Sequence, residues 1–167
     1  MEAFTTLQIA ALTTSALLGL NSLQVAALNT AQARALTTVQ VAALTTAQLV
    51  ALEATDLAAL STQQIIALST QQISALTVDQ VAALTSTQVP SITTAQIGAL
   101  GSFQIAAFET IDVRALTTVQ VTQLSSSQVA GFDINQVAAL TTLQVSVIGT
   151  TAVRILQDDR IAALSSL

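Results

Sequence analysis

Cysteine, histidine, lysine, tryptophan and tyrosine do not occur in this sequence, and proline occurs once. The first two absences remove the ordinary ligand sets for zinc and haem, the imidazole base and the thiolate nucleophile, and disulfides go with them. A chain without thiols suits a reduced compartment and an exported repeat protein equally well. Positive charge is scarce too. Arg34, Arg114, Arg154 and Arg160 stand against nine acidic residues, for a net charge of -5. That leaves no basic footprint to neutralise phosphates and no aromatic platforms on which bases could stack, so nucleic acid is not an expected partner.

Long apolar runs are missing although 52% of the residues are hydrophobic. A membrane span needs roughly 20 consecutive, mostly apolar residues, and here Thr, Ser or Gln interrupts the apolar positions throughout. No transmembrane insertion is expected. The opening MEAFTTLQ has neither the positive n-region nor the continuous apolar segment of a signal peptide, so export would need another signal or a longer polypeptide.

What the sequence does contain is a repeat of eight residues, visible when LSTQQIIALSTQQISAL is read from Leu60 to Leu76. Counting in eights from Phe4, all 21 positions through Leu164 are Leu, Ile or Phe. Five residues after each comes a second aliphatic column, from Ile9 through Val41, Ile65 and Val137 to Ile161, broken only by Ala33. Gln precedes that column in 15 of 20 octads, and the consensus is [ST]-T-x-Q-[VI]-A-A-L.

Each octad is an instruction to start a helix. Thr, Ser, Asn, Asp or Gly opens 18 of the 21 octads beginning at Thr5, with Gln three residues later as in a capping box. Ala, Leu and Gln then favour helix, and the Val or Ile sits three residues before Leu on the same side. A continuous helix is excluded by angle. At about 100° per residue, eight residues advance about 800°, so an apolar stripe would drift roughly 80° per repeat and wrap the helix. Supercoiling absorbs the drift of about 20° in a heptad, not this one. The expected fold is all-α, a solenoid or superhelix of about 20 short helices, one per octad.

A β-solenoid is the alternative, because eight is also a multiple of two and Thr, Val and Ile suit strands. It would put the two apolar columns on opposite faces and would need turns from only five glycines. Either way, one octad cannot stand alone. Its two large apolar side chains contribute roughly 1.5–3 kcal/mol each on burial, against roughly 1–2 kcal/mol of backbone entropy per ordered residue. Layers must therefore share an interior, and residues 1–167 form one domain. The alanine before each Leu is expected to let adjacent turns approach closely.

Departures from the repeat are the places to look for chemistry. Pro90 replaces a small residue in TSTQVPSI, where its missing amide predicts a kink or a looser turn. Residues 149–167 concentrate Arg154, Asp158, Asp159 and Arg160, a candidate C-terminal cap or an ordinary solvated corner. Glu53 with Asp56, and Glu109 with Asp112, occupy cap and Gln positions, where paired carboxylates could do acid–base work or bind a hard cation. The simpler reading is first-turn acids favoured by the helix dipole. Asp158-Asp159 lacks the flanks of a calcium loop, and Asp133 opens DINQ without the remaining ligands. No residue is assigned as catalytic, cofactor-binding or metal-binding, and no enzyme is expected. The Thr-Thr pairs raise one other possibility, a flat weakly charged array of the kind that binds ice.

The phrases ALTTVQVAALTTAQ and LSTQQIIALSTQQISAL resemble the L-[ST]-x-x-Q-[IV]-x-A octapeptide repeats of large bacterial surface or secreted proteins, often labelled adhesin-like or haem-utilisation-like. The resemblance covers essentially the whole chain. It implies an extracellular or cell-surface bacterial setting and nothing catalytic. A solenoid of this kind suits a structural spacer or protein-interaction scaffold, and the apolar, self-complementary ends of such a stack favour end-to-end self-association, or another protein, as partner. Haem use gains nothing from the residues present, since Met1 is the only candidate ligand left.

Overall fold

The computed structural model describes residues 4–149, with Arg154 and Leu156. The candidate cap at 149–167 therefore lies almost wholly outside the described residues. Among them there are 17 α-helices of four to six residues, one 3₁₀ turn at Val89–Ser91, and no strand. Each octad from Thr5 to Ile148 carries one of these elements, as an α-solenoid requires.

The joint between octads needs no glycine. Thr37 is extended at φ -74° and ψ 160°, Thr38–Ala43 is helical, and Leu44 returns to φ -55° and ψ 137° before the next extended cap, Thr45. Two consecutive extended residues, Leu and then Thr, thus swing the chain into its next helix. No described residue has a positive φ, so no joint among them calls on glycine for a left-handed backbone.

Helices three octads apart lie against each other: Thr6–Ala11 against Thr30–Ala35, and Thr38–Ala43 against Thr62–Ala67. Side-chain bonds described below reach instead to the fourth octad back. One turn of the superhelix therefore takes between three and four octads. The two aliphatic columns both point inward and join into one continuous core, from Ile9 to Ile148 and on to Leu156. The alanine before Leu is half-buried in many octads, including Ala35, Ala51 and Ala115. At Gly131 in this column, an added Cβ would come within 3.0 Å of the Ser102 carbonyl oxygen, which shows how near the turns approach there.

Pro90 has the local effect its chemistry demands. Its octad forms a turn and the 3₁₀ segment Val89–Ser91 in place of an α-helix. The register survives, because Val89 and Ile92 still fill the two core columns.

Burial by position gives a first testable consequence. Ile65→Val, in the fully buried column, should lower the unfolding free energy by about 0.5–1.5 kcal/mol. Val39→Ala, at an exposed third position, should change it by less than about 0.5 kcal/mol. Urea titrations of the two variants check the difference.

Candidate functional site

The organising feature of the molecule is a ladder of buried glutamines. Where the first position is Thr, Ser, Asn or Asp, its side chain caps its own helix. Thr93 Oγ1 accepts the Gln96 amide at 3.2 Å, and Gln96 Oε1 accepts the Thr93 amide at 2.8 Å. That reciprocal pair satisfies two of the donors a helix N-terminus leaves orphaned. The rest of the glutamine faces a different helix. Gln96 Nε2 donates to the Leu68 carbonyl at 2.7 Å and to the Ile65 carbonyl at 3.1 Å, 28 and 31 residues earlier.

One side chain therefore closes the start of its own helix and the end of the helix beneath. The Leu68 carbonyl belongs to the C-cap, beyond the reach of the helix's own donors, and the Ile65 carbonyl, in the last turn, also accepts the Leu68 amide at 3.2 Å. The same bond to the carbonyl 28 residues back recurs from Gln32 to Gln144 at 2.6–2.8 Å wherever the column holds Gln. Gln88 keeps it even in the octad that Pro90 distorts. An amide suits the position because it carries one acceptor and two donors on a single planar group.

A sequence signal for this second role was present. Glutamate is as good a capping-box partner as glutamine, yet it never occupies this column. The capping argument alone does not explain that exclusion; the need for a donor does. Gln8 and Gln24, the first two glutamines of the column, are exposed, and their Oε1 atoms accept the amides of their own caps.

Two octads break the ladder with an acid. Asp56 and Asp112 stand in the first turns of their helices, as the helix-dipole reading has it, and both are buried. Asp56 is served by a neighbouring layer: Thr30 Oγ1 donates to its Oδ1 at 2.8 Å. Asp112 accepts the Glu109 amide through Oδ2 at 3.2 Å, while its Oδ1 is buried without a partner. Burial pushes the Asp112 carboxyl above the usual carboxylate range; the Glu109 amide bond works against this and the Glu109 charge adds to it. Glu53 and Glu109, the caps of these octads, are exposed. Asp133 is an ordinary cap, with Oδ1 accepting the Gln136 amide at 2.8 Å. Asp158 and Asp159 lie outside the described residues.

The outer surface is set by the remaining positions. Third positions point to solvent, and several are large and apolar: Leu7, Leu23, Phe103 at 83% exposure, Val119 and Leu143. Second-position threonines are exposed or half-buried, as at Thr38, Thr62 and Thr94. Among the described residues no three His, Cys, Asp or Glu side chains gather as a metal site, and no helix is long and apolar enough to cross a membrane. A depression of about 240 Å³ beside Arg114, lined by Ala138, Ala139, Leu140, Thr141 and Thr142, brings one charged group to it and no second.

A family model described as the ALTTAQ repeat matches residues 24–54, 49–86, 82–110 and 105–142. The phrase itself stands verbatim at Ala43–Gln48, across the boundary between one core Leu and the next capping box. Comparison with curated proteins and with solved structures finds no match.

Proposed function

The chain belongs to the ALTTAQ repeat family, and from that premise we propose that it is a non-enzymatic spacer and protein-interaction scaffold in a bacterial surface or secreted protein. The observation that carries this reading is the sameness of the ladder. Wherever the column holds Gln from Gln32 to Gln144, the layers are joined by the same amide bonds at nearly the same lengths, 2.6 Å for Gln64 and 2.7 Å for Gln144. Such a chain lengthens by adding equal units, each contacting only its neighbours. A protein that must hold something at a distance needs that property.

Apolar third positions on the outside suit a scaffold, because exposed Leu and Phe side chains offer contact area to a partner. End-to-end association of copies would engage the exposed Gln8 and Gln24, whose Oε1 atoms bond their own caps. The octapeptide resemblance supports the extracellular setting.

Chains built with additional copies of the Thr37–Leu68 block test the spacer reading. Small-angle scattering should show the maximum dimension growing by an equal step per block while the cross-section stays constant. A dimension that does not grow would remove it. Sedimentation equilibrium tests association separately: Gln8→Ala with Gln24→Ala should weaken any self-association without loss of helicity. Ice binding through the threonines would appear as thermal hysteresis in the same preparations.

A further inference from the structure

We infer that Asp112 joins its layer as a neutral carboxylic acid, its Oδ1 proton standing where a glutamine Nε2 hydrogen stands in neighbouring octads, so that the stack is tighter in acid than at neutral pH. Its carboxyl is seated like the amide it replaces. Oδ2 accepts the amide of its own cap residue, Glu109, at 3.2 Å, the bond that Oε1 makes in the glutamine octads. Oδ1 is then the counterpart of Nε2. It is buried and has no hydrogen-bond partner, on a residue 2% exposed.

The carbonyls that a glutamine here would reach are those of Leu84 and Val81, 28 and 31 residues earlier, the spacing kept by Gln96 and Gln120. Val81 O accepts the Leu84 amide, and no hydrogen bond to Leu84 O occurs among the described residues. An ionised Asp112 would set acceptor against acceptor in a buried joint, leaving polar oxygens desolvated and unpaired. One proton turns Oδ1 into a donor. Aspartate is one methylene shorter than glutamine, so closing that bond draws octads 77–84 and 109–116 together.

Asp56 shows what the alternative looks like. There a hydroxyl from Thr30, 26 residues earlier, supplies the donor. The residue at that spacing from Asp112 is Ser86, in the octad that Pro90 distorts, and its hydroxyl makes no bond to Asp112. The charged groups around Asp112 give little help to an anion. Glu109 caps its own helix; Asp133 caps Ile134–Ala139, packed against it; Asp79 lies on Val78–Ala82 in the layer of Leu84; the 3₁₀ turn Val89–Ser91 carries no charge. Arg114, on the same helix, points to solvent. Burial acts in the same direction, raising the carboxyl above its ordinary value of 3.8.

The sign follows from linkage. A carboxyl raised by folding contributes stability that is complete below its unfolded value and is lost as pH rises through its folded value. The test is a ¹³Cγ titration of Asp112 in the whole chain, with thermal unfolding of wild type, Asp112→Gln and Ser86→Ala across the acid-to-neutral range. Asp112 should titrate above 3.8, and Asp112→Gln should melt higher than wild type at neutral pH, with the gap closing in acid. A midpoint at or below the ordinary value would overturn the inference, whether or not the variants fold. So would parallel melting curves for wild type and Asp112→Gln, or a Ser86→Ala variant that raises the Asp112 midpoint, since Ser86 would then be serving an ionised carboxylate.

Discussion

Replacing Gln96 with glutamate should cost about 3–5 kcal/mol of unfolding free energy at neutral pH, the penalty of leaving a buried charge without its partner. The two side chains have the same shape, so no cavity forms and no apolar contact is lost. What changes is hydrogen. Gln96 donates to the carbonyls of Leu68 and Ile65, whereas an ionised glutamate has nothing to donate and is repelled by both. Its other duty survives, because a carboxylate still accepts the Thr93 amide that Oε1 now accepts at 2.8 Å. Loss of the capping box therefore cannot explain the effect. Acid should return part of the stability, as protonation restores one donor. Gln63→Glu, at an exposed third position of a neighbouring octad, should change stability by less than about 0.5 kcal/mol. Urea unfolding followed by far-UV circular dichroism, repeated at acid and neutral pH, separates these outcomes. Equal effects at the two positions would mean that helix capping alone explains the glutamine column.

The second large effect concerns register. Inserting one alanine between Gln80 and Val81 rotates the second half of that helix by about 100° relative to the first, so Val81 and Gln80 cannot both face inward. The helix Val78–Ala82 has five residues and no slack in which to bulge. The octad should lose the burial of Val81 and Leu84, roughly 1.5–3 kcal/mol each, and the bonds of Gln80 to the Leu49 and Leu52 carbonyls. Deleting residues 85–92 whole should do much less. It removes the Pro90 octad, and every remaining glutamine still finds carbonyls 28 and 31 residues back, because the octads are interchangeable at those positions. Thermal unfolding should place the eight-residue deletion well above the one-residue insertion. The reverse order would mean that the layers do not depend on an eight-residue spacing.

How much of this could be read from residues alone depends on which residues are asked. The octad, the inward columns at Ile65 and Leu68, and the restart at each hydroxyl follow from angle and burial, which act within one repeat. The number of octads per turn does not. It is set by the swing at joints such as Leu44-Thr45, and nothing in a chain of near-identical octads marks which one meets which. The partner of glutamine's second role was hidden for the same reason, since it lies 28 residues away and looks like every other leucine. Asp56 and Asp112 were legible as departures from the column, while their burial depended on knowing that the column faces inward. Pro90 was the easiest case, because a missing amide acts where it sits.

Hydrogen exchange of the glutamine side-chain amides, resolved by NMR on the intact chain, reaches the interlayer bond directly. The Nε2 hydrogens of Gln40, Gln72, Gln96 and Gln128 each donate to carbonyls one layer down, and they should exchange far more slowly than those of the exposed Gln8, Gln24, Gln63 and Gln71. Equally fast exchange across both groups would mean that the layers are held by their apolar columns alone and that the ladder does not exist in solution.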